Sequence, residues 1–163
     1  MSKVFLSYAA EDHFFAGLAV VTLAAAEIEL WRDIHQIAAG SEWREGIETE
    51  ISNCLAVVVA LSPHSAKSAY VTYEWAYALG KGKPVIPLKL SECEMHKRLE
   101  NIQYLDFSVP MAQPWDPLIA RIREEETKAK SAQQPPSAEH VNAILGYVNQ
   151  QLHQLAVWPV RPG

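Results

Sequence analysis

Leu55-Ala-Val-Val-Val-Ala-Leu61 is the stretch on which the fold turns. It is apolar on both faces of a period-two chain and rich in β-branched residues, so it reads as a strand covered on both sides and central in a parallel sheet. Upstream, Lys3–Tyr8 (KVFLSY) has the same character, and Ile28–Trp31 (IELW) is a shorter strand. Asp12 precedes a helical window between them that runs to about Glu27. Downstream, Pro84–Leu90 (PVIPLKL) and Ile102–Phe107 supply a fourth and a fifth strand. Ser41 is the N-cap of a helix through Ile47, Ile51 and Cys54. Ser62-Pro63-His64-Ser65 breaks the chain before a helix over Tyr70–Leu79, which Gly80 and Gly82 stop. Asp116-Pro117 reads as an N-cap and first helical residue, with Leu118, Ile119 and Ile122 inward and a charged run to Lys130. Strands alternating with helices predict an α/β fold: a flavodoxin-like open five-stranded parallel sheet, helices on both faces, with its ligand crevice at the carboxyl ends of the strands.

The chain has 163 residues, 49% of them apolar and 20% charged, enough for one ordinary domain and too apolar for a disordered chain. A net charge of -5 argues against nucleic-acid backbone binding, which needs a basic face. Cys54 and Cys93 form no metal spacing or disulfide framework, a usage that suits a reducing cytosol. The first residues run straight into a strand without a signal-peptide layout, and the longest apolar stretch, Phe14–Ala26, is too short for a membrane span. The expectation is a cytoplasmic domain that meets neither nucleic acid nor membrane.

The expected organisation is an α/β domain over 1–130, a linker over 131–137, a helix over 138–156 and a tail over 157–163. Val141, Ile144, Leu145, Val148, Leu152 and Leu155 form an apolar stripe on that last helix. One helix cannot make its own core, so it docks, pairs with another copy, or leads into an effector or sensor region. The window Phe14–Ala26 carries no charge at all. It is expected to turn Ala16, Ala19 and Ala24 toward water, a surface suited to contact with another copy or to cover by the last helix of the same chain.

Several motifs resemble those of the TIR domain family, its bacterial members above all. VFLSY followed by Glu11-Asp12 resembles the family's opening box. Trp31-Arg32-Asp33, then Ile37, Gly40, Trp43, Ile47 and Ile51, resembles the loop after strand two and the helix behind it. Ser62, Ser65, Tyr70 and Glu74 resemble the serine, serine, aromatic and glutamate of the third segment, and Lys83–Leu88 the fourth strand. The match runs over roughly residues 3–125. Val71 stands where many animal members have cysteine, and Tyr70 where tryptophan is common.

The resemblance implies one of two functions. Some members cleave the nicotinamide-ribose bond of NAD, and others only assemble. In the enzymes a glutamate of the third helix is essential, a role that falls on Glu74. One carboxylate suffices, because the leaving group is already a cationic pyridinium that departs as neutral nicotinamide. What remains is an oxocarbenium-like ribose that an anion stabilises. NAD would be substrate, with no cofactor, and the sequence has no HExxH or Cys/His cluster to hold a metal. Tyr70, Tyr77 and Ala78 lie at i−4, i+3 and i+4 from Glu74, which gives it an aromatic and small helix face instead of a charged one.

Substrate-binding candidates are Ser7 and Tyr8 at the end of strand one, Trp31, Arg32 and Asp33 at the end of strand two, and Tyr70. Asp33 either binds ribose hydroxyls or anchors its loop. Trp43 is read as core. Two alternatives of the same fold fail on the sequence. Strand three ends Ala60-Leu61-Ser62 without the aspartate of a phospho-receiver, and no GxGxxG follows strand one. The leading expectation is an NAD nucleosidase yielding nicotinamide plus linear or cyclic ADP-ribose, in bacterial antiviral defence, assembled through TIR-TIR contacts. The alternative is a non-enzymatic interaction module, a signalling scaffold or a decoy of host receptors.

Overall fold

The computed structural model describes residues 1–32, 41–133 and 137–156. Its strands are β1 (Ser2–Ser7), β2 (Ile28–Arg32), β3 (Ala56–Leu61), β4 (Val85–Lys89) and β5 (Leu105–Asp106). Its helices are α1 (His13–Ala25), α2 (Ser41–Asn53), α3 (Pro63–Lys67), α4 (Ala69–Gly80), α5 (Lys97–Glu100), α6 (Trp115–Gln133) and α7 (Ala138–Ala156). The five strands pair in the order β2-β1-β3-β4-β5, every pair parallel. This is the flavodoxin-like topology that the strand pattern predicts. β3 sits in the middle with all six residues buried, as a strand covered on both faces must.

Side-chain alternation sorts the core into two layers. On one face Val4 and Leu6 of β1, Tyr8 just after it, and Ala56, Val58 and Ala60 of β3 pack with Ala16, Ala19 and Leu23 of α1 and Leu118 and Ile122 of α6. On the other, Phe5, Val57, Val59 and Leu61 pack with Ile47 and Ile51 of α2 and Val71, Trp75 and Ala78 of α4. β1 continues toward β2 on one side, and β3 toward β4 on the other. The carboxyl ends of β1 and β3 therefore flank the topological switch point, where open α/β sheets form their crevice. α4 closes in a Schellman arrangement: the Lys83 amide donates to Ala78 at 2.9 Å and the Gly82 amide to Leu79 at 3.1 Å. Gly82 takes φ +69°, where a side chain would be strained.

Several elements differ from the sequence reading. Ser62–Ser65 does not merely break the chain, because it opens the five-residue helix α3. Ser62 Oγ accepts from the Ser65 amide while Ser65 Oγ accepts from the Ser62 amide, with Pro63 in the first turn. β5 holds two residues, fewer than expected, because it pairs only through Leu88↔Leu105 and Lys89↔Asp106. α6 begins at Trp115, so Asp116 lies in its first turn and is not the cap. It also runs through Gln133, so Ser131–Gln133 of the expected linker are helical. Gly80 is the last residue of α4 and only Gly82 follows it.

The outward face of α1 is the largest correction. Ala16 and Ala19 are buried, and the exposed side carries Phe14, Leu18 and Val21, with Ala24. Small residues toward the sheet let the helix sit close to it, which sends the bulky ones outward. Asp33, and the expected tail over 157–163, lie outside the described residues, as does the side chain of Trp43.

The chain divides into two compact units, Met1–Ala129 and Lys130–Gly163. The first holds the sheet and both core layers. In the second, α7 carries Val141, Ile144, Leu145, Val148 and Leu152 on one stripe. No helix among the described residues is long and apolar enough to cross a membrane.

Candidate functional site

Ser7 ends β1 on the same pleat face as Phe5, the face that α2 and α4 cover. α4 is set in place by Ser68, whose hydroxyl accepts from the Val71 amide at 3.3 Å. Val71, Glu74, Trp75 and Ala78 then form its buried side. Glu74 is 1% exposed and Ser7 is fully buried. The Ser7 hydroxyl donates to Glu74 Oε1 at 3.1 Å, across 67 residues of sequence. A carboxylate taken out of water is costly unless hydrogen bonds meet it, and the strand-end hydroxyl supplies one such bond.

Three residues outside the expected set, Asp12, Ser62 and Ser65, form a hydrogen-bonded group after β3. Ser62, directly after β3, donates from Oγ to Asp12 Oδ2 at 2.5 Å, a short charge-assisted bond. The bond ties the connection after β1 to the start of α3. Ser62 and Ser65 are both buried, each hydroxyl bonded into the cap of α3. The signal was present in the sequence: two serines three apart with proline between them is a helix start, not only a break.

Among the expected substrate-binding residues that are described, Ser7 bonds Glu74 directly. Tyr8 is buried on the opposite side of the sheet, in the layer of α1 and α6. Trp31 pairs with Phe5 in register and packs on it at a tilt, ring centroids 5.0 Å apart, with Lys3 Nζ 5.8 Å from its ring. It lies on the face of Ser7, one pleat back from the strand end. Arg32, half-buried, pairs with Leu6 and belongs by register to the other face. Tyr70 is half-exposed, one helical turn before Glu74. Tyr77 turns toward α2, stacking on Tyr73 and lying 3.4 Å from the Ser52 hydroxyl, while Val71, Trp75 and Ala78 share the buried side of α4 with Glu74.

A cavity of about 570 Å³ lies elsewhere, between Pro63, Ala66 and Lys67 of α3 and residues 92–97. Neither Ser7 nor Glu74 lines it. Beside it Cys93 is half-buried, and burial raises its thiol pKa. Cys54 is buried between α2 and β3, and desolvation pushes its thiol up to about 11. At both positions burial favours the protonated thiol over the thiolate. Among the described residues, no group of three or more His, Cys, Asp and Glu is arranged to hold a metal ion.

The family model described as TIR domain matches residues 4–122, and the chain belongs to that family. The TIR domain of the Toll-related receptor TRR-2 from Hydra magnipapillata is 27% identical, covering 74% of this chain and 97% of that one with a TM-score of 0.64. The TIR domains of the activated Roq1 resistosome, which recognises the pathogen effector XopQ, are 23% identical over 54% of this chain and 57% of that one, TM-score 0.46. A prokaryotic SEFIR domain is 20% identical over 84% of this chain and 99% of that one, TM-score 0.42. Among curated proteins, no sequence matches this chain.

Proposed function

We propose that this TIR domain is an NAD nucleosidase of the bacterial kind, acting in the cytoplasm. The observation that carries the reading is the buried Glu74 carboxylate, bonded by Ser7 at the switch point of the sheet. In the proposed reaction the C1′–N bond of NAD breaks and its electron pair passes to the pyridinium nitrogen, releasing neutral nicotinamide. The ribosyl cation that develops is stabilised by the Glu74 anion. Water then adds at C1′ and loses a proton, giving ADP-ribose. If the adenine folds back first, it attacks instead and gives a cyclic isomer. Tyr70 at the rim contacts substrate, while Ser7 holds the carboxylate in line. Asp33 serves the ribose hydroxyls. The setting is antiviral defence, in which loss of NAD or a nucleotide signal follows infection.

One observation favours the second reading, a non-enzymatic interaction module. Glu74 is 1% exposed, so ribose reaches it only after the crevice opens. On the enzyme reading, assembly of copies opens it. The exposed apolar face of α1, with Phe14, Leu18 and Val21, is the contact proposed for that assembly. Incubation of the purified chain with NAD across a dilution series, with nicotinamide release measured, separates the readings. The enzyme shows specific activity that rises with protein concentration, and the module releases none.

A further inference from the structure

We infer that α7 is a self-association helix, and that its partner is α7 of a second copy of this chain. The helix lies beyond the residues that match the TIR family, so the family fold does not account for it. Its apolar residues are spaced by alternating threes and fours: Ala138, Val141, Leu145, Val148, Leu152 and Leu155. This is the heptad spacing that keeps one seam facing a neighbouring helix, and Ile144 widens the seam on one flank. Ile144, Leu145, Val148 and Leu152 each keep between 44% and 57% of their surface exposed.

The flanks point to a like partner. In this register the positions beside the seam are Asn142, Ile144, Asn149 and Gln151, none of them charged. Glu139, His140 and His153 fall away from it. Two identical helices therefore meet without like-charge repulsion, and a second copy offers a stripe of the same length and register. The alternative surface, α1, offers only Phe14, Leu18 and Val21 as large exposed apolar residues. The seam covers fewer than the three to four heptads of a self-sufficient coiled coil. It acts as a weak second contact whose effect multiplies through the effective concentration that any contact between the α/β units creates.

The test uses the full chain. Leu145→Glu should weaken self-association by at least ~10-fold in sedimentation equilibrium, with the melting of the α/β unit unchanged. In a Cys93→Ser background, Leu145→Cys and Val148→Cys are oxidised singly and as a mixture. Parallel helices give disulfide-linked dimers of each variant alone, and antiparallel helices give the mixed dimer. Absence of both dimers overturns the proposal, as does association of Leu145→Glu equal to that of the unaltered chain. A lowered melting temperature for Leu145→Glu, in a chain that is monomeric without the substitution, also overturns it and assigns the stripe to its own α/β unit.

Discussion

Ser7→Ala removes one hydroxyl and almost no volume, so it isolates the bond to Glu74. The Ser7–Glu74 distance of 3.1 Å is long for a hydroxyl donor, which places the bond at the weak end of the range for charged acceptors, about 1.5 kcal/mol. For a domain of this size that is a fall in Tm of roughly 3–6 °C. The charge can be tested separately by repeating the substitution in Glu74→Gln, where Gln keeps an acceptor but is neutral. There the loss should shrink to about 0.5–1 kcal/mol, leaving a coupling near 0.5–1 kcal/mol in a double-mutant cycle. Urea unfolding of the four proteins measures it. Since 1.4 kcal/mol is tenfold in rate, the same substitution should slow nicotinamide release by about 10-fold if Ser7 holds the catalytic carboxylate. Equal losses in both backgrounds, or a Ser7→Ala protein as stable as its parent, would refute the reasoning.

Two further outcomes follow from the surrounding structure. Asp12→Ala should cost about 1.5–3 kcal/mol in urea unfolding, because the short bond from Ser62 is lost and the buried hydroxyl that made it is stranded. Stability should fall as pH rises from 9.0 through about 11, since the folded protein keeps the Cys54 proton that the unfolded chain releases. The loss totals about 2–3 kcal/mol over that window, and Cys54→Ala should remove this part of the slope.

How much of this was legible in the sequence depended on the length and polarity of each element. β3 was readable because an uninterrupted apolar run bounded by polar residues has one explanation in an α/β chain. α3 was not, because five residues are too few to show a helical period, although its serine pair carried the cap. For α1 the sequence shows a helix but not its outer face. With no charged residue from Phe14 to Ala26, periodicity could not say which side met the sheet, and close packing of Ala16 and Ala19 decided it. Glu74 was singled out through a family resemblance, and its burial beside Ser7 needed the tertiary structure, since 67 residues separate the two. Ser7 and Tyr8 illustrate the limit at residue level. Ser7 ends β1 and Tyr8 follows it, yet alternation sends one to α4 and the other into the layer of α1.

The most direct test of the account is nicotinamide release from NAD by the unaltered chain and by Glu74→Gln, at a concentration where the chain assembles. The account predicts turnover by the first and a loss on the order of 100- to 1000-fold in the second, with circular dichroism unchanged. Equal turnover in a folded Glu74→Gln protein, or none in the unaltered chain, would contradict it.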